Sequence, residues 1–314
     1  MKSIGNYGWT QDLAQEITKE ELDAGHVPAR VVAEHRQGIV VHDGNEEHFL
    51  PNLGRWLHGA REERPLVGDW VLLTEPYPHV QRLLSRRNAL QRGSKDMSKA
   101  QNIAANVDIV FPVFSCNDDF NESRLERYLA LAEIANAESK ILLTKTDIYP
   151  EYGLFLERAK KVAGDTQVLA VNAHVRSQLR DIAESLPPTR TGIFVGSSGV
   201  GKSTLVNTLA QTHLQLTKEV RESDSKGRHA TVSRSLFRLP FGGLVVDVPG
   251  TRELVPAMRV NELPRTFPEI EEWIRQCQFS NCSHVSEPGC KILEAFENGE
   301  LDQRRFRNYQ MLVI

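Results

Sequence analysis

The sequence is short of several things, and each shortage removes a class of function. It has no run of about 18 consecutive apolar residues, so nothing in it reads as a membrane span. Its first stretch, MKSIGNYGWTQDLAQEITKEELDAGHVPAR, carries acidic side chains and lacks the apolar core of an export signal. A cytoplasmic protein without membrane insertion is therefore expected. Cysteine is scarce: 4 in 314 residues, too few for a disulfide scaffold. Three of them, Cys277, Cys282 and Cys290, crowd together, while Cys116 stands alone in an apolar stretch. Positive charge is not in excess either, since the formal net charge is -3, which gives no global reason to bind nucleic acid. No internal repeat or low-complexity tract breaks the chain.

What is present is an ordinary globular composition, 40% hydrophobic and 25% charged, long enough for two or three domains. From Pro28 to Ser85 short β-rich runs (ARVV, GIVV, HFL, VGDWVLL) alternate with turn residues, the pattern of a small β-barrel. RLLSRRNALQRGSKDMSK (82–99) then forms a local basic patch, with Arg82, Arg86, Arg87, Arg92, Lys95 and Lys99 against Asp96 alone. Between Val107 and Val248 the apolar runs VDIVFPVF, KILL, VLAV, GIFV and LVVDV alternate with helical text such as SRLERYLALAEIA, where Ser123 and Glu126 fit a capping box. Continuous apolar strands separated by helices predict an α/β domain whose parallel sheet is covered on both faces. The remainder, from about 259 to 314, reads as helices around the cysteine cluster.

The strongest motif is Gly196-Ser197-Ser198-Gly199-Val200-Gly201-Lys202-Ser203, followed by Thr204, which matches G-x-x-x-x-G-K-S between the strand GIFV and the helical TLVNTLAQ. Its backbone N–H groups and the helix N-terminus would cradle phosphates, Lys202 would reach the β- and γ-phosphates, and Ser203 would ligate Mg²⁺. Downstream, LVVDVPG ends a strand in Asp247-Val248-Pro249-Gly250. Asp247 would hold Mg²⁺ through water, and the Gly250 N–H would meet a γ-phosphate without a side chain in the way.

Upstream lies Thr144-Lys145-Thr146-Asp147 at the end of KILL. Asp147 offers two carboxylate oxygens to the paired N–H donors of guanine, and the Lys145 stem would lie along the base. Asn172-Ala173, at the end of VLAV, would present the Ala173 N–H to the guanine O6. This guanine-reading set precedes the phosphate loop in sequence, yet in a parallel sheet ligands gather at the carboxyl ends of the strands, so chain order does not fix spatial order.

The cluster CQFSNCSHVSEPGC supplies Cys277, Cys282, His284 and Cys290, three thiolates and an imidazole. That donor set suits one structural, tetrahedral Zn²⁺ per chain with no open position for chemistry.

The order of these motifs, with GDWVLL, AANVDIVF, DFNESRLERYLALA, GRHAT, DVPGTRE and FPEI around them, resembles the ribosome small-subunit-dependent GTPase A (RsgA, or YjeQ) family over nearly the whole chain. The resemblance implies an OB-fold barrel over 1–95, a circularly permuted GTPase domain over 96–258 and a zinc-binding domain over 259–314. It implies GTP hydrolysis to GDP in late maturation of the 30S subunit, with 16S rRNA as a contact. The sequence departs from the family pattern at Thr144, commonly Asn, at Asn172, commonly Ser, and at Ala230, often Thr. Many GTPases place a Gln just after D-x-x-G; here that residue is Thr251. GRHAT (227–231) lies where a switch segment belongs, Thr231 is the candidate Mg²⁺-binding switch residue, and the resemblance puts His229 forward for hydrolysis. Slow basal turnover, stimulation by the subunit and a monomeric protein are expected. Two other readings share the phosphate loop: an RNA-binding, nucleotide-dependent latch with negligible turnover, and an ATPase.

Overall fold

The computed structural model describes residues 4–51, 64–74, 78–93, 101–211, 234–248 and 266–312. The N-terminal part is antiparallel: Val27–His35 (β1), Gly38–His42 (β2), Glu47–Pro51 (β3), Trp70–Leu73 (β4) and Val80–Leu83 (β5). The long β1 pairs with β2 along one half and with β4 along the other, and its register shifts between Val31 and Ala33. That bulge lets one strand bend around a core of Ala29, Val31, Ile39, Val41, Leu50, Val71, Leu73 and Val80, drawn from all five strands. Two short helices, Gln11–Gln15 (α1) and Lys19–Asp23 (α2), lie beside it. Thr18 and Glu21 form a full capping box on α2.

Ala89–Arg92 (β6) and Gln101–Ala105 (β7) pair antiparallel, so a hairpin straddles the boundary expected near residue 95. The α/β part follows with Ile109–Ser115 (β8), Glu122–Ile134 (α3), Glu138–Ser139 (β9), Ile141–Thr144 (β10), Tyr152–Ala163 (α4), Val168–Ala170 (β11), Arg180–Glu184 (α5), Thr191–Val195 (β12), Lys202–Ala210 (α6), Arg234–Arg238 (β13) and Leu244–Asp247 (β14). The strands align as β11-β10-β8-β12-β14-β13. All neighbours in this row are parallel except β13 with β14. One core lies under α3 and α4 and another under α5 and α6, the two-faced burial that the apolar runs require.

The sheet does not stop there. Antiparallel pairing of β13 with β1, Ser235 opposite Ala33, carries it into the N-terminal antiparallel strands. The junction is sealed by Arg30, which is 1% exposed and stacks 5.0 Å from the Trp70 ring centre. Arg30 donates to the Tyr7 carbonyl at 2.8 Å and to Thr191 Oγ1 at 3.3 Å. Burial pulls its pKa down to about 10.

Two expectations change on contact with the structure. Helix α3 is capped not by Ser123 but by Asn121, whose side chain accepts the Arg124 N–H at 2.8 Å. Ser123 and Glu126 are inside the helix, and Glu126 is fully buried against the C-terminal helices. Three cations of the basic patch are paired within the protein. Arg82 pairs with Glu21 at 2.6 Å, Arg86 grips the buried Asp69 at 2.8 and 2.7 Å, and Arg87 meets Asp108 at 2.8 Å. Arg82 ties β5 to α2 and Arg87 ties the N-terminal part to Asp108, just before β8; Lys95, Asp96 and Lys99 lie outside the described residues.

The last part consists of Pro268–Arg275 (α7), Lys291–Glu297 (α8) and Gln303–Leu312 (α9). They share a core of Phe267, Ile270, Ile292, Ala295, Leu301, Phe306, Tyr309 and Leu312, with Ala130 contributed by α3. No helix among the described residues is long and apolar enough to cross a membrane.

Candidate nucleotide site and metal centre

The phosphate loop runs from the buried β12 to α6. Gly201, the residue before α6, has φ 101°, a left-handed conformation that a side chain would strain. Gly196 is fixed by crowding: a Cβ there would stand 2.3 Å from the Val113 carbonyl oxygen. Between them Ser197 is buried while Ser198 and Gly199 are exposed. Lys202 arches back over the loop and donates to the carbonyls of Gly196 at 2.8 Å and Ser197 at 2.7 Å. Burial lowers its pKa, against the opposing fields of Asp247 and Asp119. Ser203 opens α6 on the solvent side, and Thr204 follows it.

Strand β12 lies between β8 and β14, which puts Asp247, at the end of β14, beside the loop. On the other side, β10 is separated from β12 only by β8, and it ends in Thr144. Thr144 is fully buried and its hydroxyl reaches the carbonyls of Val200 at 2.5 Å and Phe114 at 3.2 Å. One hydroxyl proton serves one acceptor at a time, and the shorter contact fastens the β10 end to the phosphate loop. Thus the residue that departs from the family pattern performs a local task its size permits. Beyond it Lys145 turns through φ 61°, and Asp147 is exposed at the rim. The Asn172 side chain accepts from the His174 N–H at 2.9 Å, and the Ala173 carbonyl accepts from Thr208 of α6 at 2.7 Å. TKTD, Asn172-Ala173 and GSSGVGKS therefore stand along one sheet edge. Gly250, Thr231 and His229 lie outside the described residues.

Sequence reasoning missed two groups near this edge. Arg124, in the first turn of α3, donates to Ser197 Oγ at 2.5 Å and to Asp119 Oδ1 at 3.1 Å. Only their place one strand-to-helix turn after VDIVFPVF hinted at proximity.

The C-terminal cluster is assembled as its spacing predicts. One ligand atom from each of Cys277, Cys282, His284 and Cys290 lies within 4.8 Å of all the others. The His284 Nδ1 points inward, 3.6 Å from Cys277 Sγ and 3.4 Å from Cys290 Sγ. His284 reaches this pose through φ 59°. The Glu287 carboxylate gathers the Ser283 hydroxyl and the N–H groups of Ser283, Val285 and Ser286, shaping the loop; the Ser283 hydroxyl above all, with the Ser283 and Ser286 N–H groups, holds its pKa well below the usual range. Burial and the neighbouring thiols push Cys282 up to about 11. Three thiols this close resist ionising together unless a cation compensates them, so the donors fit a closed zinc site.

A phosphate loop in the middle of a parallel sheet, with guanine-reading candidates on strands that precede it in the chain, defines a circularly permuted P-loop GTPase domain, here between an antiparallel β-domain and a Cys₃His domain. The sequence profile of the RsgA GTPase matches residues 83–255. The small ribosomal subunit biogenesis GTPase RsgA 2 of Vibrio vulnificus is 40% identical over 312 residues, covering 99% of this chain and 87% of the relative. The small ribosomal subunit biogenesis GTPase RsgA of Xanthomonas axonopodis pv. citri is 41% identical over 308 residues, covering 95% and 84%. Among solved structures, YjeQ from Thermotoga maritima superposes with a TM-score of 0.62 at 28% identity over 90% of this chain and 96% of that one. YloQ, described as a circularly permuted GTPase, gives 0.58 at 25% identity over 90% and 92%. The chain belongs to the RsgA GTPase family.

Proposed function

We propose that this protein is a GTP-hydrolysing switch that acts in biogenesis of the small ribosomal subunit. The observation that carries the reading is the bond from Thr144 to the Val200 carbonyl, which draws TKTD to the phosphate loop despite its earlier place in the chain. Asp147 would then accept the guanine N1–H and N2–H, with Lys145 along the base and Ala173 offering its N–H to O6. Thr146 lies in the turn between Lys145 and Asp147. The loop amides from Gly196 to Gly201 and the Lys202 ammonium would take the β- and γ-phosphates; the two carbonyls Lys202 now holds are replaced by anionic oxygens. Mg²⁺, when bound by Ser203, by Thr231 and through water by Asp247, supplies charge neutralisation between the phosphates. Water attacks the γ-phosphorus, its bond to the β–γ bridging oxygen breaks, and GDP and inorganic phosphate leave. The family resemblance makes His229 the candidate for orienting that water and Gly250 the γ-phosphate amide.

The finer readings accompany this one: structural Zn²⁺ on Cys277, Cys282, His284 and Cys290, 16S rRNA as the surface met on the 30S subunit, an OB-like barrel, and a cytoplasmic monomer divided near residues 95 and 258. The test is turnover of GTP and ATP with and without purified 30S subunits. Acceleration of GTP hydrolysis by about 10² to 10⁴ is expected when a partner completes the site. Asp147→Asn should shift preference from GTP to xanthosine triphosphate. Unchanged GTP affinity in that variant refutes the guanine assignment, and subunits that neither bind the GTP-analogue form nor accelerate hydrolysis refute the ribosomal one.

A further inference from the structure

Helix α3 meets two distant parts of the molecule within a single turn. On one side Arg124 reaches the phosphate loop. Its Nη1 donates to Ser197 Oγ at 2.5 Å, to Asp119 Oδ1 at 3.1 Å and to the Asp119 carbonyl at 3.3 Å. Ser197 is 3% exposed, and its own carbonyl is one of the two held by Lys202. Arg124 and Lys202 therefore grip the same loop residue from opposite ends, one by its side chain and one by its backbone. Among the described residues the second carboxylate oxygen of Asp119 is buried without a hydrogen-bond partner, and the carboxylate lies in the field of both Arg124 and Lys202.

On the other side, the neighbours of Arg124 are clamped to α9. The Ser123 carbonyl accepts from Asn308 at 3.1 Å, Ser123 Oγ accepts from Arg304 at 3.3 Å, and Arg127 donates to Asn308 Oδ1 at 2.8 Å. Glu126 takes Arg304 at 3.0 Å, Arg305 at 2.8 Å and Asn308 at 2.5 Å. With Asn121 capping its start, the first turn of α3 has no freedom to slide, and Arg124 is presented to the loop as a fixed post.

We propose that Arg124 is a positioning residue of the nucleotide site: through Ser197 it fixes the first half of the phosphate loop, and the C-terminal helix α9 sets its pose through α3. The inference rests on the GTPase reading for its kinetic part alone. A loop whose amides must meet developing charge loses rate steeply when displaced, since small misplacements cost on the order of 10²-fold. Nothing in this role requires Arg124 to touch the nucleotide.

The experiment uses the full chain and five variants, Arg124→Ala, Arg124→Lys, Ser197→Ala, Asn308→Ala and the double Arg124→Ala/Ser197→Ala. Two quantities are read: GTP turnover with 30S subunits, and hydrogen exchange of the amides from 196 to 201 in the nucleotide-free protein. Arg124→Ala should lower kcat by about 10- to 100-fold while KM moves less than about 3-fold. Ser197→Ala should reproduce most of that loss, the double variant should be no worse than Arg124→Ala, and Arg124→Lys should recover part of it. The loop amides should exchange faster in Arg124→Ala and in Ser197→Ala, and by the same amount. Asn308→Ala, far from the loop, should speed exchange in the same direction. Losses that multiply in the double variant, or loop exchange unchanged in Arg124→Ala, overturn the proposal. If the parent protein itself turns over no GTP, the GTPase reading fails, and the exchange measurement still decides for or against Arg124.

Discussion

Glu126 offers a demanding test of how the C-terminal domain is held. Its side chain is fully buried, and both carboxylate oxygens face donors only: Arg304 and Arg305 on Oε1, Asn308 on Oε2. Glu126→Gln keeps size and shape but replaces one oxygen with an N–H₂ group. Whichever way the amide turns, that group points at another donor, so a buried polar group loses its partner. Breaking a buried ion pair costs about 3 to 5 kcal/mol. Here Arg304 and Arg305 retain 41% and 22% side-chain exposure, so both can turn toward water, and the lower end, about 3 kcal/mol, is expected. In a chain of 314 residues that corresponds to a Tm lower by about 4 to 5 °C. Thermal unfolding of the zinc-loaded variant reads the loss, and limited proteolysis should show cleavage between the GTPase and C-terminal parts first. A shift below about 0.5 kcal/mol, the range of an exposed pair, would refute the claim that this carboxylate anchors α9.

Other expectations follow from the same contacts. Cys282→Ser should release zinc and make the segment after residue 266 protease-sensitive while nucleotide binding survives; retention of one zinc per chain by elemental analysis argues against the Cys₃His centre. Arg86→Glu should destabilise urea unfolding by about 3 to 5 kcal/mol because it places like charge against the buried Asp69, whereas Arg87→Glu, at a 55% exposed side chain, should cost no more than about 1 kcal/mol. Equal costs would show that the two arginines are not differently employed. Glu21 is held at about 2 against an ordinary 4.5 by Arg82 and the Thr18 N–H. A depressed carboxylate contributes stability above its unfolded pKa and loses it as pH falls through the folded one, so the α2 contact with Arg82 should weaken between about pH 4.5 and 2. Glu21→Gln should flatten that stretch of the stability profile, and identical profiles would contradict the tether.

Much of the site was legible because its parts are local. A phosphate loop needs a strand, a glycine turn and a helix in immediate succession, and a zinc cluster needs four donors a few residues apart. TKTD could be read for its chemistry but not for its position, which depends on strand order across β10, β8 and β12. The basic patch could be read for its charge but not for its pairing, because the partners Glu21, Asp69 and Asp108 come from separate segments. Glu126 misled for a related reason. Three residues after a serine it satisfies a capping pattern, yet its partners lie near the end of the chain, and a long-range buried ion pair outweighs a local cap. Arg124 left no periodic or motif signal, since its contact with Ser197 crosses from α3 to the phosphate loop.

The pairing of β13 with β1 has a mechanical meaning. The chain between α6 and β13 contains GRHAT, and where it re-enters the described structure, at Arg234, it is already fastened to the barrel: Arg234 meets Glu34 at 3.1 Å and donates to the Asn102 carbonyl at 2.9 Å. The opposite end of that segment leaves from α6, the helix that begins at Lys202. The two described ends of that segment, Gln211 and Arg234, thus belong to different parts of the fold, one to the helix that follows the phosphate loop and the other to the strand that joins the N-terminal sheet. A load applied to β1 is carried by β13 to β14, where Ser235 stands opposite Asp247, so the N-terminal sheet and the Asp247 end of the candidate site shift together.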